Sequence, residues 1–275
     1  MGRQGVQPKI FFRNDDVRGT LDRSLIRITE WFLERGLPIV HAVEPANLTR
    51  EVVQWLLDIK RQGRDLVEIM QHGYDHRVKN LWQKGEFGGQ RTYEEQYADI
   101  AAGKELMNRH FGEAWFPAFN FPYAPYNAAA IRAVNDLGYK VFNSHYNPRL
   151  SRRCFYALGH LLRRGLLLGR HVSWHLRRYP GTRLLEVDVS VSFIRQYLDE
   201  QTSCEFYHLP ELIEQTLACR HLPVVGILLH HRYHDTDAKI EMVGQFVDWA
   251  LAQGMTFVTL QEVFCEWAPR AGLVP

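Results

Sequence analysis

Short apolar runs alternate along the chain with longer stretches whose apolar positions recur at helical spacing. Lys9–Arg13 reads as a buried strand that ends at Asn14-Asp15-Asp16. Leu21, Leu25, Ile28 and Phe32 mark a helix closed by the stop signal Gly36. The same reading predicts strands at Pro38–Val43, Leu66–Gln71, Trp115–Phe119, Tyr139–Asn143, Leu184–Val189, Val224–Leu229 and, last, Met255–Leu260. Helices are predicted at Thr49–Gln62, with Thr49 as N-cap, and at Thr92–His110, Asn127–Leu137 and Asp237–Gln253. A looser stretch, Arg77–Gly89, is expected to cover whatever site follows Gln71. Strands alternating with helices imply an α/β fold with a mainly parallel sheet. About seven or eight such units fit a single distorted TIM-like (β/α) barrel, in which chemistry sits at the C-terminal strand ends. Asp15-Asp16, His72, Asn120–Tyr123, Asp188 and His230-His231 all fall at such ends.

Composition narrows the picture only slightly. The 275 residues are 46% hydrophobic and 23% charged, ordinary values for a folded protein, and no Pro/Gly/Ser-rich linker divides them, so one domain is expected over 1–275. A net charge of +2 gives no reason to expect a nucleic-acid partner. Cys154, Cys204, Cys219 and Cys265 are far apart and form neither a zinc knuckle nor a disulfide framework. With no apolar leader and no apolar run of membrane-spanning length, a cytoplasmic location is expected. The 13 histidines make metal chemistry worth testing.

Three clusters carry that chemistry. His72 and His76 in His-Gly-Tyr-Asp-His share a face if the segment begins a helical turn, and two neutral imidazoles can then bind one borderline ion. Asp15 and Asp16 would repel in one dry pocket unless a cation lay between them; one would then bind the ion and the other take a proton from water. His230 and His231 close a strand, where alternation lets only one face the site; a carboxylate such as Asp188 could raise its pKa and make it a general acid.

In motif order from Lys9 to about Leu260 the chain resembles the polysaccharide-deacetylase family, also called NodB-like or carbohydrate esterase family 4. Phe12-Arg-Asn-Asp-Asp16 resembles its Thr-Phe-Asp-Asp motif. His72-Gly-Tyr-Asp-His76 resembles His-Ser/Thr-x-x-His, and Phe119-Asn-Phe-Pro-Tyr-Ala-Pro-Tyr-Asn127 resembles Phe-Arg-Pro-Pro-Tyr-Gly-x-Tyr-Asn. Gly226-Ile-Leu-Leu-His230 resembles Leu-Leu-His-Asp. The resemblance implies a barrel of about seven strands and a metal-dependent deacetylase acting on an N-acetylated glycan. Asp16, His72 and His76 would bind the ion (zinc first; cobalt, nickel or manganese as alternatives). Asp15 would be the base, His230 the acid, and the Tyr123 N–H a donor to the oxyanion.

Departures accompany the match. Asn120 stands where the family has the arginine that orients the base, so Asp15 is expected to be less fixed. Gly73 replaces a hydroxyl residue, His231 replaces the final Asp, and the family's Asp–Trp motif has only Asp188 as a candidate. The departures suggest a divergent branch similar to deacetylase-like proteins of bacterial surface-polysaccharide (O-antigen type) gene sets. They also leave open an inactive glycan-binding module, or a hydrolase of another amide or ester.

From Leu137 through Leu185 there is no Asp or Glu, while arginines and leucines interleave. The part at about 149–183 reads as an insertion that either packs its leucines on the barrel or a second subunit, or touches an anionic membrane face or glycan precursor. His171 and His175 repeat the i, i+4 spacing without a third ligand, which favours packing.

Overall fold

A computed structural model describes residues 7–161, 175–199 and 203–274. Seven parallel strands form a closed ring: β1 (Lys9–Gly19), β2 (Ile39–Leu48), β3 (Val67–His72), β4 (Ala118–Asn120), β5 (Val141–His145), β7 (Leu185–Ser192) and β10 (Val224–His230). Each pairs with the next, and β10 pairs with both β7 and β1, which closes the barrel. The connecting helices are α1 (Arg23–Glu34), α2 (Arg50–Gly63), α3 (Tyr93–Phe111), α4 (Ala128–Asp136), α5 (Leu150–Leu161), α6 (Leu209–Ala218) and α7 (Asp237–Ala252).

Period-two alternation sorts each strand between two environments. Ile10, Phe12, Ile227 and Leu229 pack outward against Ile28, Phe32 and Phe246 of the surrounding helices. Phe11, Val40, Ala42, Met70, Ala118, Val141, Val187 and Leu228 pack together as the barrel interior. Gly226 is required there, because a Cβ would lie 2.4 Å from the Phe11 ring and 2.5 Å from the Asp188 carbonyl. Continuing the same alternation toward the C-terminal ends, the next residues on that face are Arg13, Asp15, His72, Asn120, Asn143 and His230, and all six line one cavity. The barrel is thus apolar below and polar at its mouth.

Several details differ from the sequence reading. Met255–Leu260 is not a barrel strand. Only Thr256–Phe257 (β11) pairs, with the start of β1, and Leu260 already begins α8 (Leu260–Trp267). The reason is the reciprocal cap between Thr259 and Glu262, a strong helix-start signal. The hairpin of β8 (Ile194–Asp199) and β9 (Ser203–Phe206), the short β6 (Arg177–Arg178) and α6 were not foreseen. Of the expected insertion, the structure describes α5, β6 and the turns beside them; residues 162–174, His171 included, lie outside the described residues. His175 packs beside Asp188. Among the described residues no helix is long and apolar enough to cross a membrane.

Candidate metal and catalytic site

β1 delivers three polar residues to the mouth of the barrel. Arg13 and Asp15 lie two apart on one strand and meet in a buried two-point ion pair: Nε donates to Oδ1 at 2.7 Å and Nη2 to Oδ2 at 2.7 Å. Asp15 is therefore firmly held, contrary to the expectation from Asn120. The orienting guanidinium comes from β1 itself rather than from β4. Arg13 is braced in turn by the Asn143 side-chain oxygen, and Asn120 Nδ2 lies 3.4 Å from Asp15 Oδ2. Such a fork of N–H donors fixes both the position and the plane of a carboxylate.

At Asp16 the backbone turns into the left-handed region, with φ 62. The turn breaks strand alternation and lets two adjacent aspartates serve the same pocket. Asp16 Oδ1 lies 3.2 Å from His72 Nε2 and 3.2 Å from His76 Nε2. One donor atom from each of the three residues falls within 4.8 Å of the others. Burial opposes the charge of Asp16, but hydrogen bonds to His72 and His76 outweigh it and hold the carboxyl well below its ordinary value. Burial likewise works against a charged His72, yet Asp15 and Asp16 push it up to about 9. The cluster calls for positive charge between its ligands, and one carboxylate oxygen with two imidazole nitrogens is a donor set that suits zinc, cobalt or nickel. His72 Nδ1 is 2.6 Å from the Asn120 amide. With Nε2 on an ion, that Nδ1 carries the proton and needs an acceptor. The Asn120 side-chain oxygen, buried and without a partner, supplies one when the amide turns over.

The His72–His76 segment is not a helical turn. β3 ends at His72, and a loop brings His76 round with positive φ at Gly73 and His76. Buried Glu86 holds this loop: it accepts N–H bonds from Tyr74 at 2.9 Å, Asp75 at 3.0 Å and His76 at 3.2 Å. That explains Gly73, since a Cβ there would lie 2.3 Å from Glu86 Oε2 and 2.4 Å from Pro122 Cγ. The family's hydroxyl residue does not fit; a carboxylate fills its space. The Tyr123 hydroxyl donates to the His76 carbonyl at 3.0 Å, and its ring packs on the His76 ring at 4.4 Å.

Of the two histidines closing β10, His230 faces the cavity, 3.3 Å from the Tyr197 hydroxyl of β8. His231 turns outward, where its N–H donates to Asn14 at 2.7 Å and its ring lies 3.3 Å from Asp22. Burial lowers the pKa of His230 against the pull of Asp16 and Asp15. Asp188 does not fill the role expected of it beside His230. It is fully buried behind the cavity wall, bonded by Ser144 and 3.3 Å from His175. His234 is a packed core histidine that burial pushes down to about 4.

The cavity holding these groups has a volume of about 720 Å³ and reaches from Asp16, His72 and His76 to Tyr146, Arg153, Arg195 and Gln215. Arg13, Glu86, Tyr197 and Arg153 were missed in the sequence. Only Arg13 had a readable signal, its two-residue spacing from Asp15.

Comparison with known proteins agrees with this fold. A structure from Mycobacterium smegmatis assigned to the polysaccharide deacetylases superposes with TM-score 0.68 at 14% identity, over 100% of this chain and 94% of that one. A family 4 acetyl xylan esterase from Clostridium thermocellum, in complex with a cobalt ion, gives TM-score 0.54 at 13% identity, over 96% and 92%. A carbohydrate esterase family 4 pseudoenzyme from Bacillus anthracis gives 0.54 at 11%, over 94% and 66%. These likenesses show a shared (β/α)7 fold. No curated protein matches the chain in sequence. The polysaccharide deacetylase family model matches residues 42–142, spanning the His72–His76 loop and the Asn120–Tyr123 turn.

Proposed function

We propose that the protein is a metal-dependent deacetylase that removes the N-acetyl group from a sugar of a polysaccharide or of its lipid-linked precursor. The observation that carries this reading is the convergence, in one cavity, of Asp16 with two imidazoles, of Asp15 gripped by Arg13, and of His230 on the facing wall. A divalent ion at Asp16, His72 and His76 supplies Lewis acidity, making water easier to deprotonate and the acetyl carbonyl easier to attack. Asp15 takes the proton of the attacking water, and Arg13 keeps its carboxylate aimed while it does so. The Tyr123 backbone N–H donates to the oxygen on which negative charge develops. His230 gives a proton to the departing nitrogen, the C–N bond breaks, and acetate and a free amino sugar leave. Burial works against a protonated His230, and the pull of Asp16 and Asp15 is what favours the proton it must hold before donating.

The pseudoenzyme among the structural neighbours shows that the fold alone does not guarantee turnover. Retention here of both aspartates and both histidines favours an active site over a glycan-binding module. Elemental analysis of the native chain beside His72→Ala, with acetate release from acetylated sugars, tests the reading. One zinc, cobalt, nickel or manganese ion per chain, lost in the variant, with acetate released by the native chain only, supports it. A native chain that takes up no ion overturns it, and hydrolysis of other amides or esters alone moves the activity to a different substrate.

The proposal extends to location: a cytoplasmic enzyme that meets its precursor at the inner membrane face. Leu150, Phe155, Leu158 and Leu161 of α5 are all exposed, in a stretch of sequence with arginines and no acid. Co-sedimentation with vesicles containing anionic lipid, reduced by Leu158→Asp with Leu161→Asp, is the expected result; no binding at low salt removes the membrane from the proposal.

A further inference from the structure

The cavity is much larger than an acetyl group requires, and its two ends are charged differently. The carboxylates lining it, Asp15 and Asp16, both belong to the metal end. Four arginines line it: Arg13, Arg18, Arg153 and Arg195. Three of them are matched by acids. Arg13 grips Asp15, Arg18 reaches Glu44 at 2.9 Å, and Arg195 meets Glu205 at 3.0 Å and Glu211 besides.

Arg153, in the first turns of α5, has no carboxylate partner among the described residues. Its Nη1 donates to the Tyr146 hydroxyl at 3.2 Å, and its guanidinium sits 5.0 Å from the Tyr146 ring centroid. Tyr146 is buried, and its hydroxyl is itself 2.9 Å from His221 Nε2, so the surface under Arg153 is fixed. Asn143, three residues before Tyr146, and Gln215 on α6 also line this cavity, and the side-chain N–H₂ group of each is buried and has no hydrogen-bond partner among the described residues. Asp188, behind this wall, is taken by Ser144 and His175. A buried donor without an acceptor is costly, so these N–H₂ groups in the cavity wall, together with a guanidinium that meets no carboxylate among the described residues, suit an anion at this end.

We propose that the α5 end of the cavity binds an acidic group of the glycan, a uronate carboxylate or a phosphate, on Arg153, while the acetylated sugar lies at the metal end. The inference rests on the cavity being the glycan site of the proposed function. The substrate class it names is an acidic N-acetylated glycan, not a neutral homopolymer.

The full chain carrying Asp15→Asn, so that probes are not consumed, is titrated calorimetrically with three N-acetylated probes of equal length. These are neutral chitotetraose, chitotetraose 1-phosphate, and a hyaluronan tetrasaccharide whose alternate sugars are uronates. At least one acidic probe is expected to bind tenfold or more tighter than the neutral one. Arg153→Gln erases that preference and leaves the Kd for chitotetraose unchanged. Which acidic probe is preferred distinguishes uronate from phosphate. Equal affinity for all three, a preference that survives Arg153→Gln, or no binding of any probe overturns the proposal. Acetate release by the chain with Asp15 intact is scored separately. A chain that releases none yet keeps an Arg153-dependent preference retains the anion site and loses the deacetylase reading.

Discussion

Buried carboxylates occupy both ends of the barrel, and their surroundings give them opposite characters. At the C-terminal end Asp15 lies in the fork of Arg13, and Asp16 lies between two imidazoles that keep it ionised despite burial. At the N-terminal end Glu68, also on the inner face of the ring, accepts one N–H from Gln261 at 2.8 Å and leaves its other oxygen unpartnered. Burial, the largest influence on it, pushes its pKa up to about 7 against the help of Gln261 and the more distant Lys60. Depth alone therefore does not decide whether a carboxylate is charged; the partners in direct contact weigh against it, and they do not always win, since burial pushes Glu86 up to about 8 despite its three N–H donors. The end proposed to perform chemistry sets Arg13 and two imidazoles against its aspartates, and at the other end burial favours the protonated form of Glu68.

Removing the arginine is the strongest way to break this contrast, because it leaves Asp15 as ill-partnered as Glu68. Arg13→Ala should lower kcat about 100-fold or more while metal content stays at the native level, and added guanidinium should restore part of the loss. Unchanged kcat in steady-state assays would show that Asp15 needs no tether.

A smaller effect is expected at the loop that carries His76. Gly73→Ser forces a side chain into the space of Glu86 and a left-handed backbone onto a residue that resists it. Thermal unfolding should register a loss of about 2–3 kcal/mol, and zinc affinity should fall roughly tenfold. A stable variant with native zinc affinity would mean that Glu86 does not hold the loop.

The smallest change concerns Glu68 itself. Its pKa is raised in the folded chain, so its contribution to stability is complete below about 4.5 and is lost as pH rises through about 7. Denaturant titrations of the native chain across that window should show stability falling, and Glu68→Gln should flatten the fall by on the order of 2 kcal/mol. Parallel curves for the two proteins would place the proton elsewhere.

Much of this was legible in the sequence because the barrel writes its site at strand ends. Asp15, Asp16, His72, Asn120, Tyr123 and His230 each follow or close an apolar run, and all line the one cavity. What escaped reading has physical causes. Glu86 acts from ten residues beyond His76 in an irregular loop, where no periodicity links the two. Asp188 was a candidate partner of His230 because it falls at the end of a neighbouring predicted strand, but Val187 and Val189 take the interior face, and alternation turns the carboxylate between them toward Ser144 and His175. The arginine of the resembled motif is absent from β4, and the alternation of β1 sets Arg13 beside Asp15 in its place.

That Arg13 and Asp15 share a strand bears on how the site tolerates motion and drift. Two residues apart in an extended chain, they are spaced by the pitch of a single strand, about 7 Å along its axis, whatever the neighbouring strands do. An aspartate tethered from another strand would lose its alignment whenever the seam between those strands opened or their register slipped. Here the tether travels with the aspartate, so a shift at the β7–β10 seam, where the register already slips between Gly226 and Ile227, would leave the pair aligned.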